Sequence, residues 1–172
     1  MGTLFKDLKH PWNINNLDSI LKEGLNKKNL KGITTPYLYI GGLRTTFAWH
    51  VEDYNMASIN YMHYGASKVW YTIARKDYKK FQQFVKNIFP REFLECSEYL
   101  RHKTIVINPY FIREYMPNLT ITKLVQNEGD FVLTNNSGYH GGFNCGFNIA
   151  ESVNFATPDW LPDFPTMKPC KC

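Results

Sequence analysis

The sequence predicts a mainly β fold, a double-stranded β-helix of the jelly-roll or cupin-like kind, with an N-terminal helix before it and a helical insert within it. Three observations lead there. Short aromatic and β-branched runs recur along the chain between Gly or polar turns, about eight or nine in all, which suits a jelly-roll barrel. Helical spacing appears in only two stretches. At 172 residues and 44% hydrophobic side chains, the chain suits one domain around one core.

The elements follow in order. Residues 1–33 form a helical lead-in, where Ile14, Leu17, Ile20, Leu21 and Leu25 predict an amphipathic helix over 13–31 with Gly24 and Gly32 as stop signals. From Thr34 the texture changes to YLYIG, TTFAWH, SINYMHYG and KVWYTI, which read as strands. Residues 75–102 form the insert: Tyr78, Phe81, Phe84, Val85 and Ile88 share a helical face, Pro90 breaks it, and a second short helix runs from Phe93 to Leu100. TIVIN, TKLVQ, DFVLT, YHGGF and NIAESVNFA then complete a barrel spanning 34–157. Pro158, Pro162, Pro165 and Pro169 mark 158–172 as an irregular tail.

Composition excludes several classes. No apolar run approaches the roughly 18 residues of a membrane span. The opening MGTLFKDLKHPW lacks a secretory apolar core, so a reduced intracellular compartment is expected. There the four cysteines read as metal ligands or small buried side chains, not disulfides. The net charge of +5 includes Lys22, Lys27, Lys28 and Lys31; a solvated lysine face is the simpler reading, and contact with DNA phosphate the alternative.

The chemistry-bearing motif is TTFAWHVED. In an extended strand His50 and Glu52 leave the same face and can grip one ion. His140, in glycine-rich SGYHGGFN, can add a second imidazole. Two His and one carboxylate with open positions form the facial triad of non-haem Fe(II) oxygenases. Alone, His-x-Glu is a weak signal and is more often a surface pair. Lys68 and Asn60 follow on the next strands, and an inward-facing lysine either meets an anion or snorkels from the barrel edge.

The stretches TPYLYIGGLRTTFAWHVEDYNMASINYMHYGASKVWYTI, LRHK and SGYHGGFNCGFNIAESVNFAT closely resemble the JmjC domain of histone lysine demethylases. Within that superfamily the resemblance is to the JmjN-plus-JmjC group that acts on trimethylated and dimethylated lysines of the histone H3 tail. It implies a nuclear Fe(II)- and 2-oxoglutarate-dependent dioxygenase that hydroxylates an N-methyl group and releases formaldehyde. It makes His50, Glu52 and His140 the iron ligands. Lys68 would pair with the distal carboxylate of 2-oxoglutarate, Asn60 would hold the other end, and Phe47 and Trp70 would wall the cosubstrate. Tyr37, Tyr39, Ser152 and Asn154 would lie near the methylated lysine.

Cys96, His102, Cys170 and Cys172 form a second set, for which spacing leaves structural zinc and thiols both open. The resemblance favours Zn(II), which would tether the tail. Cys145 is then expected to be a buried thiol. No residue matches the family tyrosine that assists Lys68, which is expected to lie upstream with the JmjN region, and Val153 stands where threonine is common. Two other readings therefore accompany the demethylase: a JmjC protein hydroxylase, and a truncated, non-catalytic chromatin-binding remnant. The expected partners are a methylated H3 peptide and nucleosomal DNA, with no membrane.

Overall fold

The computed structural model describes residues 3–21, 30–162 and 164–166. Eight strands build two four-stranded sheets. In the first the order is β1 (Tyr37–Gly41), β8 (Asn148–Phe155), β3 (Ala57–Gly65) and β6 (Phe131–Thr134); in the second it is β2 (Thr46–His50), β7 (His140–Asn144), β4 (Lys68–Ile73) and β5 (Ile121–Gln126). Every neighbouring pair is antiparallel. Apart from the step from β4 to β5, each connection crosses from one sheet to the other, which is jelly-roll winding and agrees with the fold class expected from sequence.

Strand alternation decides which side chains enter the barrel. On β3 and β8 the even positions Ser58, Asn60, Ser152 and Asn154 line an interior cavity. The odd positions Ile59 and Val153 face outward, where Ile14, Leu17, Phe5, Phe131 and Phe155 cover them. The second sheet turns Trp49, Tyr71 and Ile73 outward into the largest apolar cluster. Helices α1 (Tyr78–Ile88) and α3 (Pro109–Tyr115) close that cluster from outside through fully buried Phe81, Val85 and Ile112, and α2 (Pro90–Glu95) adds the partly buried Phe93. The main hydrophobic core thus lies between a sheet and its helical cover, and the barrel interior combines polar side chains with Phe47 and Trp70.

The structure corrects the sequence reading at several points. The helix expected over 13–31 does not begin at 13: Ile14–Asn16 is a single 3-10 turn, residues 20 and 21 are helical, and 22–29 lie outside the described residues. Asn13 caps that turn by accepting from Asn15 N, while Asn16 donates to Leu8 O, local bonds that compete with a continuous helix. TIVIN is not a ladder strand. It is seated by Ile105 and Ile107, whose carbonyls accept from Trp49 N and Trp49 Nε1 at 3.1 and 2.8 Å. The second insert helix starts at Pro90, where proline suits a first turn, and a 3-10 turn, Tyr99–His102, follows. Helix α3 was not expected from sequence, although the Asn108 cap and Pro109 at its start are a readable signal.

Candidate active site

His50 is the last residue of β2, and His140, the first of β7, is its register partner. Their rings lie 4.3 Å apart between centroids. Glu52 stands just beyond the strand, where its extended backbone (φ −65°, ψ 160°) preserves the alternation that the sequence reading assigned to a strand. Val51 between them is buried in the core, so the two flanking side chains turn the other way. Tyr139 anchors the start of β7 by stacking on Tyr78 and packing against Phe81. Donor atoms of His50, Glu52 and His140 all lie within 4.8 Å of one another.

Hydrogen bonds orient this set. His50 Nδ1 lies 2.7 Å from Ala48 O and His140 Nδ1 lies 3.0 Å from Gly138 O. A carbonyl accepts only, so each Nδ1 carries a proton and each Nε2 is the atom turned toward the site. His140 Nε2 is 3.4 Å from Glu52 Oε1. Burial, then the adjoining His140 ring, pushes the His50 imidazole far below its ordinary range, towards the neutral form that ligates metal. Burial opposes charge on Glu52, but His140, by hydrogen bond and by charge, outweighs it and keeps the carboxylate ionised. Two imidazoles and one carboxylate fit a divalent first-row metal.

The loop carrying Glu52 is held by Arg101, a residue the sequence reading did not single out. Its guanidinium donates to Glu52 O at 2.8 Å and Asn55 Oδ1 at 2.5 Å, and pairs with Glu98 at 3.1 Å. These bonds secure a turn in which Tyr54 and Asn55 both take positive φ.

A cavity of about 320 Å³ opens beside the triad. Of the residues expected from sequence, it gathers His50, Glu52, His140, Asn60, Lys68, Phe47, Trp70, Tyr39, Ser152 and Asn154. Tyr37 is not in its wall but stands next to it on β1, edge-on to Tyr39 at 6.4 Å. Trp70 meets Phe47 edge to face at 4.8 Å. Its Nε1 donates to Gln126, whose amide donates in turn to Asn60 Oδ1 at 3.0 Å. The lining also includes Thr45, Lys103 and Asn144, which the sequence reading missed. Asn144 was readable in principle, since it shares strand parity with His140 and faces Lys68 across the sheet.

Lys68 is buried, with its ammonium 5.6 Å from the Phe47 ring centre. Burial pulls its pKa down from 10.5 to about 8. Among the described residues no carboxylate pairs with it. A buried, unneutralised ammonium opening on a cavity fits an anionic ligand.

The second residue set is only partly described. Cys96 is buried at the end of α2 and His102 closes the following turn, whereas Cys170 and Cys172 lie outside the described residues. Cys145, expected to be buried, is exposed, because the β7–β8 turn carries it out of the sheet.

A jelly-roll wall that aims two imidazoles and a carboxylate into an open cavity defines a cupin-like protein with a metal-binding donor set. The family model described as "JmjC domain, hydroxylase" matches residues 37–155, more than half of the chain, and the chain belongs to that family. It is 40% identical over 173 residues to lysine-specific demethylase 4B of Mus musculus, covering 99% of this chain and 16% of that protein. It is 38% identical to lysine-specific demethylase 4D of Rattus norvegicus and 38% identical to the probable lysine-specific demethylase 4F of Homo sapiens. Those matches cover 99% of this chain and 34% and 27% of the relatives. The chain therefore spans 16–34% of the length of these curated relatives.

Proposed function

We propose that this chain is the catalytic core of an Fe(II)- and 2-oxoglutarate-dependent oxygenase that demethylates Nε-methylated lysine of the histone H3 tail. The observation that carries the reading is one cavity holding both the oriented His50, Glu52 and His140 set and the buried ammonium of Lys68. With Fe(II) and 2-oxoglutarate bound, dioxygen oxidises the methyl carbon to a hydroxymethyl group that leaves as formaldehyde, while the cosubstrate becomes succinate and CO2.

The chain's own residues hold and shield that chemistry. His50, Glu52 and His140 would hold the iron on one side only, leaving the other open to reactants. Lys68 takes the distal carboxylate of 2-oxoglutarate, Asn60 steadies its other end, and Phe47 with Trp70 keeps water from it. Tyr37, Tyr39, Ser152 and Asn154 present oxygens to the methylammonium through polarised C–H contacts that aim one methyl at the metal. Ser152 Oγ already donates to Ile59 O at 2.9 Å, which fixes its position and leaves its lone pairs available to such contacts.

The same reading divides the chain into a lead-in (1–33), a barrel core (34–157) with its insert (75–102), and a tail (158–172). The tail is tethered by structural Zn(II) on Cys96, His102, Cys170 and Cys172. It places the protein in the nucleus. A net charge of +5 does not attract a basic histone tail, so recruitment rests on nucleosomal DNA, further domains or partner proteins. No helix among the described residues is long and apolar enough to cross a membrane.

The test supplies Fe(II), 2-oxoglutarate and trimethyl-lysine H3 peptides and measures formaldehyde. Release that disappears in His50→Ala supports the reading, and release unchanged by that substitution overturns it. The matched family's description as a hydroxylase motivates a second reading, oxidation of a side-chain carbon. Mass spectrometry separates the two, since a stable gain of one oxygen marks hydroxylation and loss of a methylene marks demethylation. Absence of 2-oxoglutarate turnover would leave the non-catalytic chromatin-binding reading. Zinc close to one equivalent per chain, lost in Cys96→Ser, tests the tether.

A further inference from the structure

The side chain that receives Lys68 is neutral, and its orientation is fixed. Asn144 and Lys68 are directly opposed across β7 and β4. Asn144 Oδ1 accepts from Lys68 Nζ and also from Asn148 Nδ2 at 2.9 Å. Its Nδ2 donates to Thr45 Oγ1 at 2.8 Å and Thr45 O at 3.3 Å. Asn148, fully buried, is itself tied to Ala66 O at 3.0 Å. Turning the Asn144 amide over would set its NH2 against two donors and its oxygen against a carbonyl, so the carbonyl must face the ammonium. Gly41 permits this packing, because a Cβ there would sit 2.4 Å from Asn148 Oδ1 and 2.7 Å from Asn144 Cγ.

We infer that Asn144 is a positioning residue for the anionic end of the cosubstrate, holding the Lys68 ammonium through a neutral acceptor so that its whole charge remains for a ligand carboxylate. This rests on the reading that Lys68 binds the distal carboxylate of 2-oxoglutarate. An ammonium has three donors. One is committed to Asn144, which fixes the direction of the other two. An acidic residue at 144 would orient the lysine equally well but would neutralise it and repel a second carboxylate. The Thr45, Asn144 and Asn148 chain therefore selects for a ligand that brings its own negative charge, as a dicarboxylate does.

The test measures 2-oxoglutarate affinity of the Mn(II)-loaded chain by calorimetry, with Mn(II) affinity and melting temperature recorded for every variant. Asn144→Asp should weaken 2-oxoglutarate by about thirtyfold or more, as a like charge in a closed site does, without changing Mn(II) affinity. Lysine side-chain NMR of the metal-free variant should show Lys68 titrating at higher pH than in the wild type. Asn144→Ala, which removes one charge-assisted hydrogen bond, should weaken 2-oxoglutarate by about tenfold. A merely structural role would lower melting temperature and leave affinity and the Lys68 titration alone. If Lys68→Ala loses binding while Asn144→Asp binds within about twofold of wild type, this inference falls and the functional reading stands. If wild type fails to bind 2-oxoglutarate, or Lys68→Ala binds as wild type does, the reading itself falls. Should Asn144→Asp not fold, Asn144→Ala decides: about tenfold loss supports the inference and unchanged affinity overturns it.

Discussion

Replacing Lys68 with methionine should make the ligand-free protein more stable while removing its cosubstrate binding. The lysine is buried and its pKa falls from 10.5 to about 8 because burial disfavours the charge. At about 1.4 kcal/mol per pH unit, keeping that ammonium charged in the ligand-free fold costs about 3 kcal/mol at neutral pH. Methionine fills a similar volume without charge, but the bond to Asn144 is lost, which offsets about 1 kcal/mol. The net expectation for Lys68→Met is about 1–2 kcal/mol of added stability, a rise of about 2–8 °C in melting temperature for a chain of this size. The sign with pH follows from linkage. Below about 8 the wild-type lysine is charged in both states and the whole cost is present. Between about 8 and 10.5 the folded lysine loses its proton before the unfolded one, so wild-type stability rises with pH and the variant's advantage shrinks. Denaturant unfolding without ligand, at neutral and alkaline pH, measures both. A variant less stable than wild type, or one whose advantage ignores pH, would refute the claim that this charge is held at a cost.

Other substitutions probe the frame around the site. Arg101→Ala should weaken Mn(II) binding by about 10- to 100-fold, because the Glu52 turn loses its tie, and metal titration followed by electron paramagnetic resonance measures it; unchanged affinity would mean the turn holds itself. Gly142→Ala should destabilise by about 1–3 kcal/mol in urea unfolding, since its Cβ would lie 2.0 Å from Val69 O and 2.6 Å from Phe47 Cζ. Burial opposes charge on Glu151, yet hydrogen bonds from His63, Asn15, Thr3 and Leu4 N outweigh it and hold the carboxyl below its ordinary 4.5. Its contribution is therefore complete above 4.5 and lost as pH falls through the lower folded value. Glu151→Gln should lower stability at neutral pH and flatten the acid side of the stability profile, and a profile as steep as the wild type's would place that sensitivity elsewhere.

Strand positions were legible because short aromatic and β-branched runs bounded by Gly or polar turns are a local property. KVWYTI and NIAESVNF are such runs, and both are ladder strands in the structure. TIVIN is one too, but its place was decided by burial against Trp49 and not by pairing. His50, Glu52 and His140 could be proposed from residue type and parity, because His-x-Glu in extended backbone leaves one face whether or not a ladder continues through it. Arg101, Asn144 and Gln126 were not proposed, since their roles depend on partners far away in sequence. Arg101 reaches Asn55 and Gln126 reaches Asn60, contacts that only the folded topology creates. Residues 13–19 depart from the expected helix because asparagines at 13, 15 and 16 engage nearby backbone and the distant Glu151 in place of a helical ladder.

Placing the main apolar cluster between the second sheet and the helices frees the barrel interior from bearing the fold. Side chains at Ser58, Asn60, Ser152 and Asn154 then contribute shape and polarity more than cohesion. The inner face of β3 and β8 carries hydrogen bonds in place of apolar contacts, while fully buried Phe81, Val85 and Ile112 carry the packing. Such a molecule can be retuned for a different side chain at its mouth by drift along one sheet, with its foundations untouched on the far side of the other.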